Sequence, residues 1–192
     1  LLRRQMVRSY RKPLVIMTPK SPLRRKITFS TLEDLASGRF DNVIGELDPL
    51  ATDAVRRVVA CSGKVYYDLL EARRERGVND IAIIRVEQLY PFPTDELTRQ
   101  LQRFRNAREI YWCQEEPQNQ GAWLSIQDAL RACLQKGQEL FYAGRAAMAA
   151  PAGGDYHKHL ERQNLLVDTA LGTCALAAKD HAPTAGKTGG HS

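Results

Sequence analysis

The chain has 192 residues, 43% hydrophobic and 26% charged, with a formal net charge of +6. That suits one domain with a sizeable core and tails, and no apolar run approaches the ~20 residues of a membrane span. Cys61, Cys113, Cys133 and Cys174 are widely spaced, which excludes a CxxC zinc site and a disulfide framework. Buried thiols in a reducing compartment are expected, cytoplasmic or mitochondrial-matrix-like. The opening Leu1-Leu2-Arg3-Arg4 is no signal peptide, and without a methionine it reads as the start of a fragment or processed product.

Residues 1–12 read as the end of a basic helix or linker. Arg3, Arg4, Arg8, Arg11 and Lys12 crowd it, and Lys20, Arg24, Arg25 and Lys26 follow. Such clusters meet anionic ligands, acidic partners or nucleic acid. No helix-turn-helix, RNP-type aromatic motif or zinc knuckle accompanies them, so no nucleic-acid partner is expected, nor a membrane. Pro13–Met17 is an apolar run of strand length, and Thr18-Pro19-Lys20-Ser21-Pro22 is a loop fixed by its prolines. Ser30-Thr31-Leu32-Glu33 has capping-box spacing for a short helix that Gly38 ends. Residues 39–54 read as irregular.

Val55–Ala60 is the second strand. It stops at Ser62-Gly63, and a helical pattern from Lys64 to about Arg76 begins at once, stopped by Gly77. Ile81–Val86 is the third strand, and Thr94 is placed to cap a helix carrying Leu97, Leu101 and Phe104. Glu109–Cys113 is the fourth. The polar loop Gln114–Gly121 leads to a helix with Trp123, Ile126, Leu130 and Cys133. Leu140–Ala143 is the fifth strand, closed by Gly144-Arg145. A small-residue stretch, Ala146–Gly154, crosses to a last helix from about His157 to Leu171, and residues 173–192 read as a disordered tail.

Apolar strands separated by helices predict an α/β fold: an open, mainly parallel five-stranded sheet with helices on both faces. The loops after its strands share one rim, where ligands bind. Thr18–Arg24, Ser62–Lys64, Gln114–Gly121 and Arg145 should meet there, with Glu87–Pro93 beside them. At Ser62-Gly63-Lys64 two readings stand. Unpaired helix-start amides, a glycine and a lysine suit a phosphate. Equally, Ser62 serves as a plain N-cap, with Gly63 easing a turn and Lys64 solvated.

Several segments together resemble one family. Thr18-Pro19-Lys20-Ser21, Cys61-Ser62-Gly63-Lys64-Val65-Tyr66-Tyr67-Asp68-Leu69, Arg85–Pro93, Trp112–Trp123 and Tyr142-Ala143-Gly144-Arg145 look like the carboxy-terminal domain of the thiamine-diphosphate-dependent decarboxylating component of 2-oxoglutarate dehydrogenase. The likeness runs from Leu1 to about Gly172. Arg25 is a departure, at a place where histidine or asparagine is common.

The resemblance implies a transketolase-like carboxy-terminal domain over residues 13–172 that helps two protomers form a homodimer. In the whole enzyme, thiamine diphosphate and magnesium sit in preceding amino-terminal domains, which decarboxylate 2-oxoglutarate and pass the succinyl group to a lipoyl succinyltransferase component. This chain is then expected to bind neither cofactor, to carry no catalytic residue and to be inactive alone. In some members the corresponding domain receives AMP or acetyl-CoA as an allosteric ligand. Thr18, Lys20, Arg24, Ser62, Gly63, Lys64 and Arg145 are the candidates for such an anion. The alternative is a stand-alone nucleotide- or coenzyme-A-binding module without catalysis.

Overall fold

Side-chain alternation builds the sheet. In β2 (Arg57–Cys61) every residue is buried, with Val58 and Ala60 packed on one face and Val59 and Cys61 on the other. β3 (Ile81–Val86) and β4 (Glu109–Pro117) divide in the same way, as a strand with helices on both sides must. Each fully buried Val, Leu or Ile contributes about 1.5–3 kcal/mol over leaving it in water. The computed structural model describes residues 2–151 and 154–173.

Five strands run in the order β1-β3-β2-β4-β5, where β1 is Val43–Ile44 and β5 is Glu139–Arg145. β2, β3, β4 and β5 are parallel, and β1 lies antiparallel to β3 at the edge. Helices α3 (Val65–Glu75) and α6 (Tyr156–Ala170) cover one face. The other face is covered by α4 (Thr94–Leu101) and α5 (Trp123–Ala132). The expected α/β architecture is present.

One expected strand is absent. Pro13–Met17 forms no ladder and lies exposed, Val15 at 77% and Met17 at 90%. The edge beside β3 is taken by Val43–Ile44, from the segment expected to be irregular, with Val43 opposite Val86 and Ile44 opposite Arg85. An apolar run has the composition of a strand whether it fills a sheet or faces outward, so composition alone does not separate the two. Residues 2–38 form an arm of short pieces: α1 (Leu2–Met6), two 3-10 turns (Ser21–Arg24 and Lys26–Thr28) and α2 (Leu32–Ser37). The capping box of α2 sits one residue later than its sequence spacing suggested, pairing Thr31 with Asp34, and Gly38 is the C-cap.

Thr94 is the first residue of α4 rather than its cap, and Phe104 is buried beyond the end of that helix. Asp155 caps α6, accepting from the N–H groups of His157 at 2.9 Å and Lys158 at 3.2 Å. Residues 152–153 of the crossover and 174–192 of the expected tail lie outside the described residues.

Two buried arginines fasten the periphery. Arg57 Nε donates to Glu109 Oε2 at 2.6 Å, and its Nη1 reaches the carbonyls of Thr169 and Ala170 at the negative end of α6. Arg73, 1% exposed, holds the loop after β1: it bonds Glu46 through both terminal nitrogens, Asp48 Oδ2 at 2.6 Å and the carbonyl of Ile81 at 3.0 Å. Glu46 in turn accepts from the N–H of Ile83 at 2.7 Å, continuing along β3 the edge pairing that the two-residue β1 begins.

Removing one partner of a buried ion cluster strands the others. Arg73→Ala is therefore expected to cost about 3–5 kcal/mol in urea unfolding, and a loss below about 1 kcal/mol would contradict this role. Asp48 supplies a pH signature. Hydrogen bonds from Arg74 first, and then from Arg73, outweigh burial and hold its carboxyl down to about 2. A depressed carboxylate contributes stability that is complete above its unfolded value and lost as pH falls through the folded one. Asp48→Asn is expected to flatten the acid limb of the stability curve between about pH 4 and 2.

Candidate anion-binding site

The chain leaves β2 toward α3 on one face of the sheet and leaves β4 toward α5 on the other. β2 and β4 are neighbours, so their following loops diverge and a crevice opens between them. In open α/β sheets this switch point is where ligands settle. Lys64, just after β2, sits on one bank, and Glu115 of β4 sits on the other. Lys64 Nζ spans the gap, 2.7 Å from Glu115 Oε1 and 3.0 Å from Asp68 Oδ2.

Gly63 turns the chain here with φ of +75°, a conformation that disfavours other residues, and a Cβ at that point would meet no atom within 4 Å. The N–H groups of Gly63 and Lys64 reach no acceptor among the described residues. Ser62 does not act as the helix cap: Lys64 occupies that position, and no side chain caps it.

Asp68 is the hub. Its Oδ1 accepts from Arg25 Nη1 at 2.8 Å, and its Oδ2 accepts from both Lys64 and Gln163 Nε2 at 3.0 Å. The side-chain oxygen Oε1 of Gln163 then accepts from Arg145 Nη2 at 3.3 Å, and the same nitrogen lies 3.2 Å from His159 Nδ1. Arg145 Nε is buried without a partner among the described residues. Burial opposes the charges on Lys64 and Asp68, but their partners outweigh it: Glu115 and Asp68 raise the Lys64 pKa, while Arg25 and Lys64 lower that of Asp68.

Lys64 and Arg145 are thus brought to one rim, three hydrogen bonds of a network apart. Gln114–Gly121 joins them, since Gln118 N donates to the carbonyl of Arg145 at 2.9 Å. Glu87–Pro93 follows β3, whose Arg85 pairs in register with Cys61. Thr18, Lys20 and Arg24 lie exposed on the arm, and none of their side chains bonds to Lys64 or Arg145 among the described residues. Their neighbour Arg25 makes the contact instead, to Asp68 and to Glu71.

Asp68, Glu115 and Gln163 are the partners of the rim's cations that reading for cations overlooks. The signal for Asp68 was its spacing of four from Lys64 on one helix. Glu115 and Glu116 do not form an acid/base pair, because Glu115 is bound to Lys64 and Glu116 faces solvent. The small-residue crossover is tied through its backbone, Met148 exchanging hydrogen bonds with the Asn119 side chain at 3.0 Å.

A family model described as 2-oxoglutarate dehydrogenase C-terminal matches residues 29–171. Among curated proteins, the 2-oxoglutarate dehydrogenase E1 component of Cupriavidus necator is 55% identical over 171 residues, covering 89% of this chain and 18% of that protein. Those of Coxiella burnetii and Azotobacter vinelandii are 52% and 53% identical, with the same coverage of each chain. A solved structure titled "Split gene transketolase, inactive beta4 tetramer" overlays with a TM-score of 0.49 at 15% identity, covering 70% of this chain and 44% of that one. The chain spans about a fifth of the length of these curated relatives, and it belongs to the 2-oxoglutarate dehydrogenase C-terminal family.

Proposed function

We propose that this chain is the non-catalytic carboxy-terminal part of a thiamine-dependent 2-oxoglutarate dehydrogenase decarboxylating component. In this reading it joins two protomers and carries an anion-responsive rim. The observation behind it is the arm, whose Val15, Met17, Leu23, Phe29 and Leu32 face solvent at 62–90% exposure. Large apolar side chains left in water along one arm fit coverage by the preceding amino-terminal domains and a second protomer. Thiamine diphosphate and magnesium belong to those domains in this reading. The rim's half-buried carboxylates are tied to cations of this chain. Succinyl transfer to the lipoyl component is likewise assigned to the assembled enzyme.

At the rim we propose an adenine nucleotide or acetyl-CoA as ligand. Its phosphates would take the amides of Gly63 and Lys64 and compete with Glu115 for the ammonium of Lys64. Arg145, with a donor to spare, faces the same network. Thr18, Lys20 and Arg24 remain candidates from the arm.

Two experiments test these readings. Purified alone, the chain is expected to show no 2-oxoglutarate decarboxylation, with turnover appearing only when it is expressed with the thiamine-binding domains. Robust turnover by the chain alone would overturn the assignment. Calorimetric titration of the assembled enzyme with AMP and acetyl-CoA addresses the rim. Lys64→Ala is expected to abolish binding. Glu115→Gln, which removes the competing carboxylate, is expected to tighten it by about five- to tenfold, or about 1–1.4 kcal/mol. Unchanged affinity in both variants would remove the ligand from this rim. Nucleotide binding by a chain that never associates with those domains would favour the stand-alone module.

A further inference from the structure

A second feature lies away from the rim, between the arm and the sheet. A cavity of about 920 Å³ separates α1 and the stretch after α2 from the outer side of α3 and the end of β3. Small-molecule sites commonly run from about 300 to 1,000 Å³. Its walls combine flat aromatic surface with guanidinium groups that have few anionic partners. Among the described residues, Arg3 Nη2 reaches only carbonyl oxygens, those of Leu35 at 3.4 Å and Gly38 at 3.3 Å. Among the same residues Arg4 reaches only side-chain amide oxygens, Asn42 Oδ1 at 3.3 Å and that of Gln88, while its guanidinium lies 4.6 Å above the ring of Phe40.

Arg85 is the third. It lies 4.6 Å over the ring of Tyr66 and 5.7 Å over that of Tyr67, and its Nη1 donates to the Tyr67 hydroxyl at 3.0 Å. Its Nε stands 3.1 Å from Glu87 Oε1 in an ion pair without hydrogen-bond alignment, and so is a buried donor lacking an acceptor. The carboxylates on the cavity wall are already used: Asp34 closes the capping box with Thr31, and Asp41 accepts from Arg39.

Neutral oxygens and π faces orient the Arg3 and Arg4 guanidinium groups but do not cancel their charge, and aromatic faces accept a flat apolar body. We infer that this cavity binds an organic anion that has a planar ring and one acidic group, carboxylate or phosphate. The acidic group takes paired bonds from Arg4 and Arg85, and the ring lies between Phe40 and Tyr67. This site is separate from the rim, because none of the groups it uses is bonded to Lys64 or Arg145 among the described residues. The inference therefore survives or falls independently of the rim ligand.

Isothermal titration of the full chain with 2-naphthoate, 2-naphthyl phosphate and the neutral 2-naphthol tests it. At least one of the two anions is expected to saturate at one per chain, and which binds tighter identifies the acid. Binding of 2-naphthol should be at least about tenfold weaker. Arg4→Gln and the surface double variant Arg3→Gln/Arg4→Gln are expected to weaken the anion by about tenfold or more, while Lys64→Ala changes its affinity by less than about threefold. The inference is overturned if neither anion binds, if 2-naphthol binds as tightly, if the Arg4 variants keep full affinity, or if Lys64→Ala abolishes binding.

Discussion

Asp68 receives three donors from three parts of the chain: Arg25 from the arm, Lys64 from the turn after β2, and Gln163 from α6. Each is a long side chain that would otherwise sample many rotamers, and a half-buried carboxylate gives each one a fixed destination. The strength comes from the setting. Hydrogen bonds in which one or both partners are ionised exceed neutral ones, and partial burial reduces their screening by solvent. The arm, the crevice and the last helix therefore share one electrostatic joint. Remove that carboxylate and Lys64 keeps only Glu115, Arg25 only Glu71, and Gln163 only Arg145.

Much of the fold could be read from the chain because strands buried on both faces have a plain signature. Val58-Val59-Ala60-Cys61 and Ile81-Ala82-Ile83-Ile84 are continuous apolar runs bounded by turns, and both are central strands. The same signature misled at Pro13–Met17. There an equally apolar run lies on the surface, while the real edge strand is two residues long and carries no pattern at all. What selects Val43–Ile44 is tertiary: Glu46, just beyond it, is captured by Arg73 and the amide of Ile83, and this holds the loop against β3. No window of local sequence contains both ends of that contact.

The rim was legible in part for a similar reason. Loops after parallel strands must share an edge, so Lys64 and Arg145 could be placed together without coordinates. Their counter-ions could not. A search for anion-binding groups collects cations, yet the half-buried ammonium of Lys64 has internal acceptors, and these are Asp68 and Glu115. Choosing Arg25 over Lys20 or Arg24 depends on which way a 3-10 turn faces α3, and a run of neighbouring basic residues does not disclose that.

α3 links the two proposed anion sites. Its first turn holds Lys64 at the crevice, Tyr66 and Tyr67 face the arm cavity, and Arg73 and Arg74 anchor its far end to Glu46 and Asp48. Asp68 lies between, bonded to the crevice through Lys64 and to the arm through Arg25. An anion that draws Lys64 toward itself leaves Asp68 to Arg25 and Gln163, which tightens the arm on α3. By the reciprocity of linked equilibria, an arm held closer to α3 then favours that same anion. The sign of this coupling follows from the joint itself, because Lys64 and Arg25 share a single carboxylate and each gains what the other gives up.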